Sequence, residues 1–176
     1  EETVYSRIPP RVAVRKNALI ELPHVQLLMD DPKRSVIEPL SGRTGEMEAA
    51  YDFDFMEGGG HIRGWMLTEE QKVQVAASLR RLADPDVFRA RYKLPQDAPT
   101  LLFAMGDGNH SLATAKECWE RQKRLTPPDQ WDRNPARFAL CELNNLHDEA
   151  IRFQPIHRVL FGVEPEVLLE ALLAYF

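Results

Sequence analysis

The feature that most constrains this chain is a continuous apolar run, Leu101-Leu102-Phe103-Ala104-Met105, that ends in Gly106-Asp107-Gly108-Asn109-His110-Ser111 and passes straight into a helical pattern. A run without polar alternation reads as a central strand buried on both faces, and such a strand needs a packed layer above and below it. The helical pattern over residues 110–124 is the strongest in the chain. A strand that becomes a helix within about five residues leaves room for one tight loop, the geometry of loops that cradle phosphates. The expected fold class is therefore α/β (α+β), a mixed β-sheet packed with helices around a central strand–glycine-loop–helix anion site.

The loop carries the first candidate residues. Gly106 and Gly108 let backbone approach a ligand without a Cβ clash. The unpaired amides at the start of the following helix, with the helix dipole behind them, favour an anion near Asn109, His110 and Ser111. Asp107, at the strand end, is placed to act as general base or as a ligand for Mg²⁺, and His110 to hold a phosphate oxygen or relay a proton. A tight turn, with Asn109 or Ser111 as helix cap and Asp107 closing an Asx-turn, accounts for the same string equally well. The loop lacks the Gly-Lys-Ser/Thr ending of a P-loop and the third glycine of a dinucleotide fingerprint.

Elsewhere the pattern gives a set of local expectations. Val12-Ala13-Val14-Arg15 reads as a short strand, and residues 18–22 as another strand or a helix start. Residues 25–29 and 35–40 are apolar runs on either side of Asp30-Asp31-Pro32-Lys33, which reads as a β-hairpin. Glu57-Gly58-Gly59-Gly60 is a flexible loop leading into an alternating strand over residues 61–67. Thr68, with Gln71 three residues on, makes a capping box for a helix in which Val73, Ala76, Ala77, Leu79 and Leu82 recur at helical spacing. A short helix over residues 86–92 follows Asp84-Pro85, and Thr126-Pro127-Pro128 breaks the long helix. Residues 136–143 and 156–161 read as two more core strands, and a final helix follows residues 162–165.

These elements supply secondary candidates. Three glycines before His61-Ile62-Arg63 read as a mobile flap or, more simply, as a hairpin connection with Arg63 facing solvent. Glu142, at the carboxyl end of the second core strand, and His147 in Asn144-Asn145-Leu146-His147-Asp148-Glu149 are candidates for binding, whereas Asn145 reads as a turn cap. His157 and Arg158 lie on opposite faces of one strand, so one of them points inward and needs a partner. Arg43, between Gly42 and Gly45, is a further cation in a loop. His110, His147 and His157 lack the paired spacing of a zinc site.

Composition bounds the partners. The chain has 176 residues, 44% hydrophobic and 28% charged, enough for one domain. A smaller β-rich lobe over residues 1–67 and an α/β lobe over 68–176 is the alternative division. A net charge of -5 argues against duplex nucleic acid, no apolar run matches a membrane span, and the oligomeric state is not readable. Cys118, in a helical pattern, and Cys141, in a strand pattern, read as reduced buried thiols, which favours a cytoplasmic location. The chain begins without Met and stops at Ala174-Tyr175-Phe176 inside an apolar helical pattern, as a piece of a longer protein would.

Several strings together resemble one family. Glu21-Leu22-Pro23-His24, Asp30-Asp31-Pro32, Tyr51-Asp52-Phe53-Asp54-Phe55-Met56 with Gly58-Gly59-Gly60-His61, residues 106–116, His147-Asp148-Glu149-Ala150 and Pro155-Ile156-His157-Arg158 resemble the bacterial proteins known as domain of unknown function 1015. That family has no established activity, and its proteins are considerably longer. The Asp-Gly-x-His core at Asp107, Gly108 and His110 is also similar to the Asp-Gly-His-His-Arg type of motif in the superfamily of sulfiredoxin, the chromosome-partition nucleotidases and a free-serine kinase. That second resemblance implies nucleotide phosphates on the loop with a carboxylate nearby. The Arg of those relatives is Ser111 here, so a bidentate phosphate contact has to come from Arg63, Arg43 or Arg158.

The functional expectation is a nucleotide-dependent phosphotransferase or phosphohydrolase acting on a small molecule, with ATP, ADP or another nucleotide and Mg²⁺ as cofactors. Asp107, His110 and Glu142 would be catalytic, with Asp107 on the metal. Gly106, Gly108, Asn109, Ser111, Arg63, His157 and Arg158 would bind phosphate or ligand. A nucleotide- or anion-binding regulatory module without chemistry, and a structural domain, are the alternatives.

Overall fold

The helices form where capping and burial agree. The structure, a computed structural model, describes residues 3–22, 25–152, 154 and 159–175. Helix α1 (Ile8–Arg15) begins with Pro9 and Pro10 in its first turn, where a missing N–H costs nothing. Ile8 and Val12, one turn apart, are buried, and α1 packs on a later helix, α5 (Asn109–Lys123), where Thr114 and Ala115 are buried. The strand expected over residues 12–15 is therefore a helix: burial of an i,i+4 pair outweighs the weak β preference of two valines. Residues 18–22 form neither strand nor helix, and Leu19, Ile20 and Leu22 are exposed.

The core sheet has three short strands. Strand β1 (Gln26–Met29) lies at its centre, with β4 (Ala104–Asp107) antiparallel on one side and β5 (Glu142–Asn145) parallel on the other. This changes three expectations. Residues 35–40 do not pair with β1. They lead instead into the short helix α2 (Glu38–Ser41), because the fully buried Asp31 carboxylate accepts the Ser35 and Val36 amides at 2.5 and 3.0 Å and turns the chain away. The apolar run at residues 101–105 gives an edge strand that starts only at Ala104, with Leu101 exposed. The strand expected over residues 136–143 is mostly a 3-10 turn (Pro135–Arg137) and extended chain, and β5 begins at Glu142.

A second, two-stranded sheet pairs β2 (Glu48–Asp54) with β3 (His61–Met66). β2, not foreseen, alternates Tyr51 and Phe53 with Asp52 and Asp54, the period-2 signature of a strand. Gly64 makes room for the Tyr51 ring packed across it, which a Cβ, 2.3 Å from the ring, would displace. The three glycines make the hairpin connection, with Gly58 and Gly60 at positive φ and Phe55 N–H bonded to the Gly60 carbonyl at 2.8 Å.

Two helices form as the sequence reads. Thr68 caps α3 (Glu69–Leu82) in a reciprocal box with Gln71, and α4 (Pro85–Tyr92) starts at an Asp84 cap. A final helix, α6 (Pro165–Tyr175), is present, and the strand expected over residues 156–161 falls partly outside the described residues, with 159–161 not in a strand. Helices with one mixed and one antiparallel sheet make this an α/β (α+β) fold. Among the described residues no helix is long and apolar enough to cross a membrane. Cys118 and Cys141 are free thiols, half-buried rather than buried, and Cys141 stands just before β5 rather than in it.

Candidate functional site

The three-stranded sheet has two chemically different ends. At the end where β1 and β5 begin, Gln26 is paired with Asp107 on one side and with Glu142 on the other. Asp107, Gln26 and Glu142 thus form one row across the sheet, with the two carboxylate residues roughly 10 Å apart at the backbone, two strand spacings. Glu142 is the first residue of β5, so it sits at the amino end of its strand and not at the carboxyl end. Its carboxylate accepts the Asn144 side-chain amide at 3.0 Å. Gln26 was not singled out in the sequence, although it is the one polar residue in the run from Val25 to Met29.

The glycines of the loop have separate reasons. The register between β1 and β4 slips at Gly106, where an added Cβ would lie 3.1 Å from Leu28 Cγ and 3.3 Å from Gln26 Oε1. Gly108 caps α5 at φ 87, in the left-handed region that only glycine enters without cost. Its N–H donates to Asp107 Oδ1 at 2.7 Å, an interaction that fixes the exposed carboxylate beside the helix start. No side-chain hydrogen bond caps α5.

His110, on that first turn, accepts the Val4 backbone N–H at Nε2, 3.1 Å away. The amide can only donate, so Nε2 carries the lone pair and a neutral ring holds its proton on Nδ1. Beside the same turns of α5 runs a cleft of about 530 Å³, lined by Met105, Asn109, Leu112, Lys116, Trp119 and Phe138 among others. Asn109 is buried at its edge, and Lys116 makes no hydrogen bond or ion pair among the described residues. The volume and apolar lining match those of small-molecule sites.

The structure does not bring every candidate to this row. Arg63 stands exposed on β3, in the other sheet, with its guanidinium 5.8 Å from the Trp65 ring centroid and Asp52 as cross-strand partner. Arg43 is committed to Glu46 and to the Gln74 side chain, each at 2.7 Å. His157 and Arg158 lie outside the described residues. Among the described residues no three His, Cys, Asp or Glu side chains gather around a common metal position.

The opposite end, where β1 and β5 finish, holds a dense polar network. Asp30 Oδ1 lies 2.7 Å from His147 Nε2, and Oδ2 accepts the Tyr92 hydroxyl and, at 3.0 Å, Arg91 Nη1. Partial burial pushes the Asp30 carboxyl up, but the hydrogen bonds from Tyr92, His147 and Arg91 outweigh it and hold the group below the ordinary aspartate value. The same hydrogen bond, with burial, pushes the Tyr92 phenol up. Asn145, 2% exposed, donates to the Asp31 carbonyl at 2.9 Å and to Glu38 Oε1 at 2.6 Å, and accepts the amides of Asp31 and His147 at 3.3 and 3.2 Å. Asn145 thus caps the turn through the His147 amide, as expected, and is in addition a buried bridge to Asp31 and Glu38. Asp30, Arg91 and Tyr92 were missed, since in sequence they look like a charged turn and the solvent face of a short helix.

A family model described as "Protein of unknown function (DUF1015)" matches residues 1–176. No curated protein and no solved structure matches the chain.

Proposed function

The chain belongs to the DUF1015 family of proteins of unknown function, and from the row beside α5 we propose that it is a nucleotide-dependent phosphotransferase or phosphohydrolase acting on a small molecule. The observation that carries this reading is the placement of two carboxylates, Asp107 and Glu142, in one cross-strand row next to a helix start that no side chain caps. The Asp-Gly-x-His resemblance to the sulfiredoxin and partition-nucleotidase superfamily supports it, and nucleotide use fits a cytoplasmic location.

In this reading the phosphate sits against the amides of Asn109, His110 and Ser111, whose partial positive charge acts without reorganisation. His110 adds its Nδ1–H, because Nε2 is taken by Val4. Asp107, held by the Gly108 amide, accepts the proton of the attacking hydroxyl or water. The apolar cleft along α5 takes the base, and Lys116 offers a positive charge to the phosphates. Where Asp107 instead holds Mg²⁺, with phosphate oxygens and water completing the shell, Glu142 across Gln26 is the second carboxylate, and the ion would neutralise charge on the transferred group. The donor set fits that use, since such an ion needs only one or two protein carboxylates.

The test is ³¹P NMR of ATP, ADP and CTP with magnesium and the purified protein. Magnesium-dependent turnover that Asp107→Asn lowers by at least a hundredfold is the expected result. Binding by calorimetry without turnover would make the site a non-catalytic nucleotide module, and neither binding nor turnover would remove the reading.

A further inference from the structure

The network at the carboxyl end of the sheet goes beyond what a structural tie between two strands needs. His147 is anchored at three points: its N–H on Asn145 Oδ1 at 3.2 Å, its carbonyl on Arg34 Nη2 at 2.8 Å, and its Nε2 on Asp30 Oδ1 at 2.7 Å. Its side chain is nevertheless 42% exposed. A residue held this firmly at an open surface has its ring direction set and one ring nitrogen left over. Because Asp30 can only accept while ionised, Nε2 carries the proton, and the lone pair of the neutral ring is on Nδ1. Among the described residues Nδ1 has no hydrogen-bond partner.

Asp30 is itself fixed. Both of its oxygens are used, one by His147 and the other by Tyr92 and Arg91 from α4. A base oriented by a carboxylate that is in turn locked by further donors is the arrangement that activates histidine in hydrolytic and transfer sites on many folds. The site lies outside the carboxyl ends of two adjacent parallel strands, where open α/β sheets bind ligands. The charged groups around it include Asp30 just after β1, Arg91 with Tyr92 from α4, Arg34 from the following turn, and Glu149, which lies 3.6 Å from Arg34. Arg34 holds a left-handed backbone, φ 50, which an L residue adopts only when its surroundings enforce it. That turn delivers its half-exposed guanidinium to the carbonyl of His147, the residue whose ring nitrogen is open.

We propose that His147, held by Asp30, is a general base for a small oxyanion-bearing hydroxy compound whose carboxylate or phosphate docks on Arg34. The hydroxyl proton passes to His147 Nδ1, giving an imidazolium and an alkoxide-like oxygen. Asp30 keeps its charge and stabilises the imidazolium, and no bond other than N–H forms to the protein. His147 is the catalytic residue, and Asp30, Tyr92 and Arg91 are positioning residues.

The test uses the full chain labelled with ¹⁵N-histidine, with inorganic phosphate and acetate as probes. NMR should show neutral His147 as the Nε2–H tautomer. Phosphate or acetate should shift its signals saturably and slow its acylation by diethyl pyrocarbonate several-fold. Arg34→Gln should abolish the protection but keep the tautomer, and Asp30→Asn should lose the tautomer preference. Tyr92→Phe, the milder variant, should weaken that preference with the fold intact. Protection by phosphate alone or acetate alone would identify the anion class. A proton on Nδ1, or signals and acylation rate unmoved by both anions, would overturn the proposal. Asp107→Asn and Glu142→Gln should leave every one of these readouts unchanged, so the two ends of the sheet stand or fall separately.

Discussion

Replacing Asn145 by alanine tests the polar end of the sheet most directly. The side chain is 2% exposed and donates two short bonds, to Glu38 Oε1 at 2.6 Å and to the Asp31 carbonyl at 2.9 Å. A hydrogen bond to a charged group contributes about 1.5–3 kcal/mol and a neutral one about 0.5–1.5 kcal/mol. The two amides it accepts, at 3.3 and 3.2 Å, are longer and add less. Truncation also leaves a Glu38 carboxylate whose other oxygen, Oε2, is already buried without a partner among the described residues. The expected loss is therefore roughly 3 kcal/mol, near the upper end for a single substitution. For a chain of this size that lowers Tm by roughly 6–12 °C. Urea denaturation gives the free energy, and amide exchange should show faster opening at residues 31–36 and 146–149. Asn145→Asp should be worse, since it removes both donors and sets a second carboxylate against Glu38. A measured change under about 0.5 kcal/mol for Asn145→Ala would refute the bridge, because no buried polar partner would then be losing its bond.

Two further outcomes follow from the same physical reasoning. Asp30 has a folded-state carboxyl below its ordinary value, so its contribution to stability is complete above about pH 4 and is lost as pH falls through the folded value. Asp30→Asn should flatten the acid limb of the urea midpoint plotted against pH below about pH 4, and an unchanged slope would count against the Asp30 network. Thr68→Ala removes one half of the capping box of α3 and should cost about 1 kcal/mol by chemical denaturation, with Thr68→Ser restoring most of it.

What was legible in the sequence is what local chemistry decides. The Thr68–Gln71 box, the short helix after Asp84-Pro85 and the helix after Gly108 form where their side chains or backbone requirements put them. What was not legible depends on partners far along the chain. Val12 reads as strand from its own shape and becomes helix because α5 covers it. The run at residues 101–105 was assigned to the sheet centre by its apolarity, yet the centre belongs to β1, whose Gln26 no apolar count would favour. Asp107 and His110 could be named from the loop alone, but the Val4 contact that occupies His110 spans 106 positions and leaves no mark in either segment. Asp30 and His147 are separated by 117 positions, so the dyad exists only once β1 and β5 are parallel neighbours.

The direction of the strands explains why one small sheet has two chemically different ends. β1 and β5 run the same way, so their carboxyl ends release two loops side by side, residues 30–36 and 146–149, and these interlock through Asn145. β4 runs the other way, so its last residue, Asp107, arrives at the opposite end, where the next helix can begin at once. The first end is rich in side-chain hydrogen bonds and holds its groups still, as an orienting dyad requires. The second is poor in them, and no side-chain hydrogen bond caps the helix that starts there. Had β4 been parallel to β1, Asp107 and α5 would share the end with Asp30 and His147, and two carboxylates would compete for one set of cations. The antiparallel edge keeps Asp107, level with Gln26, and Asp30 four residue steps apart along β1, about 13 Å at the backbone, so substitutions at one end should not move readouts at the other.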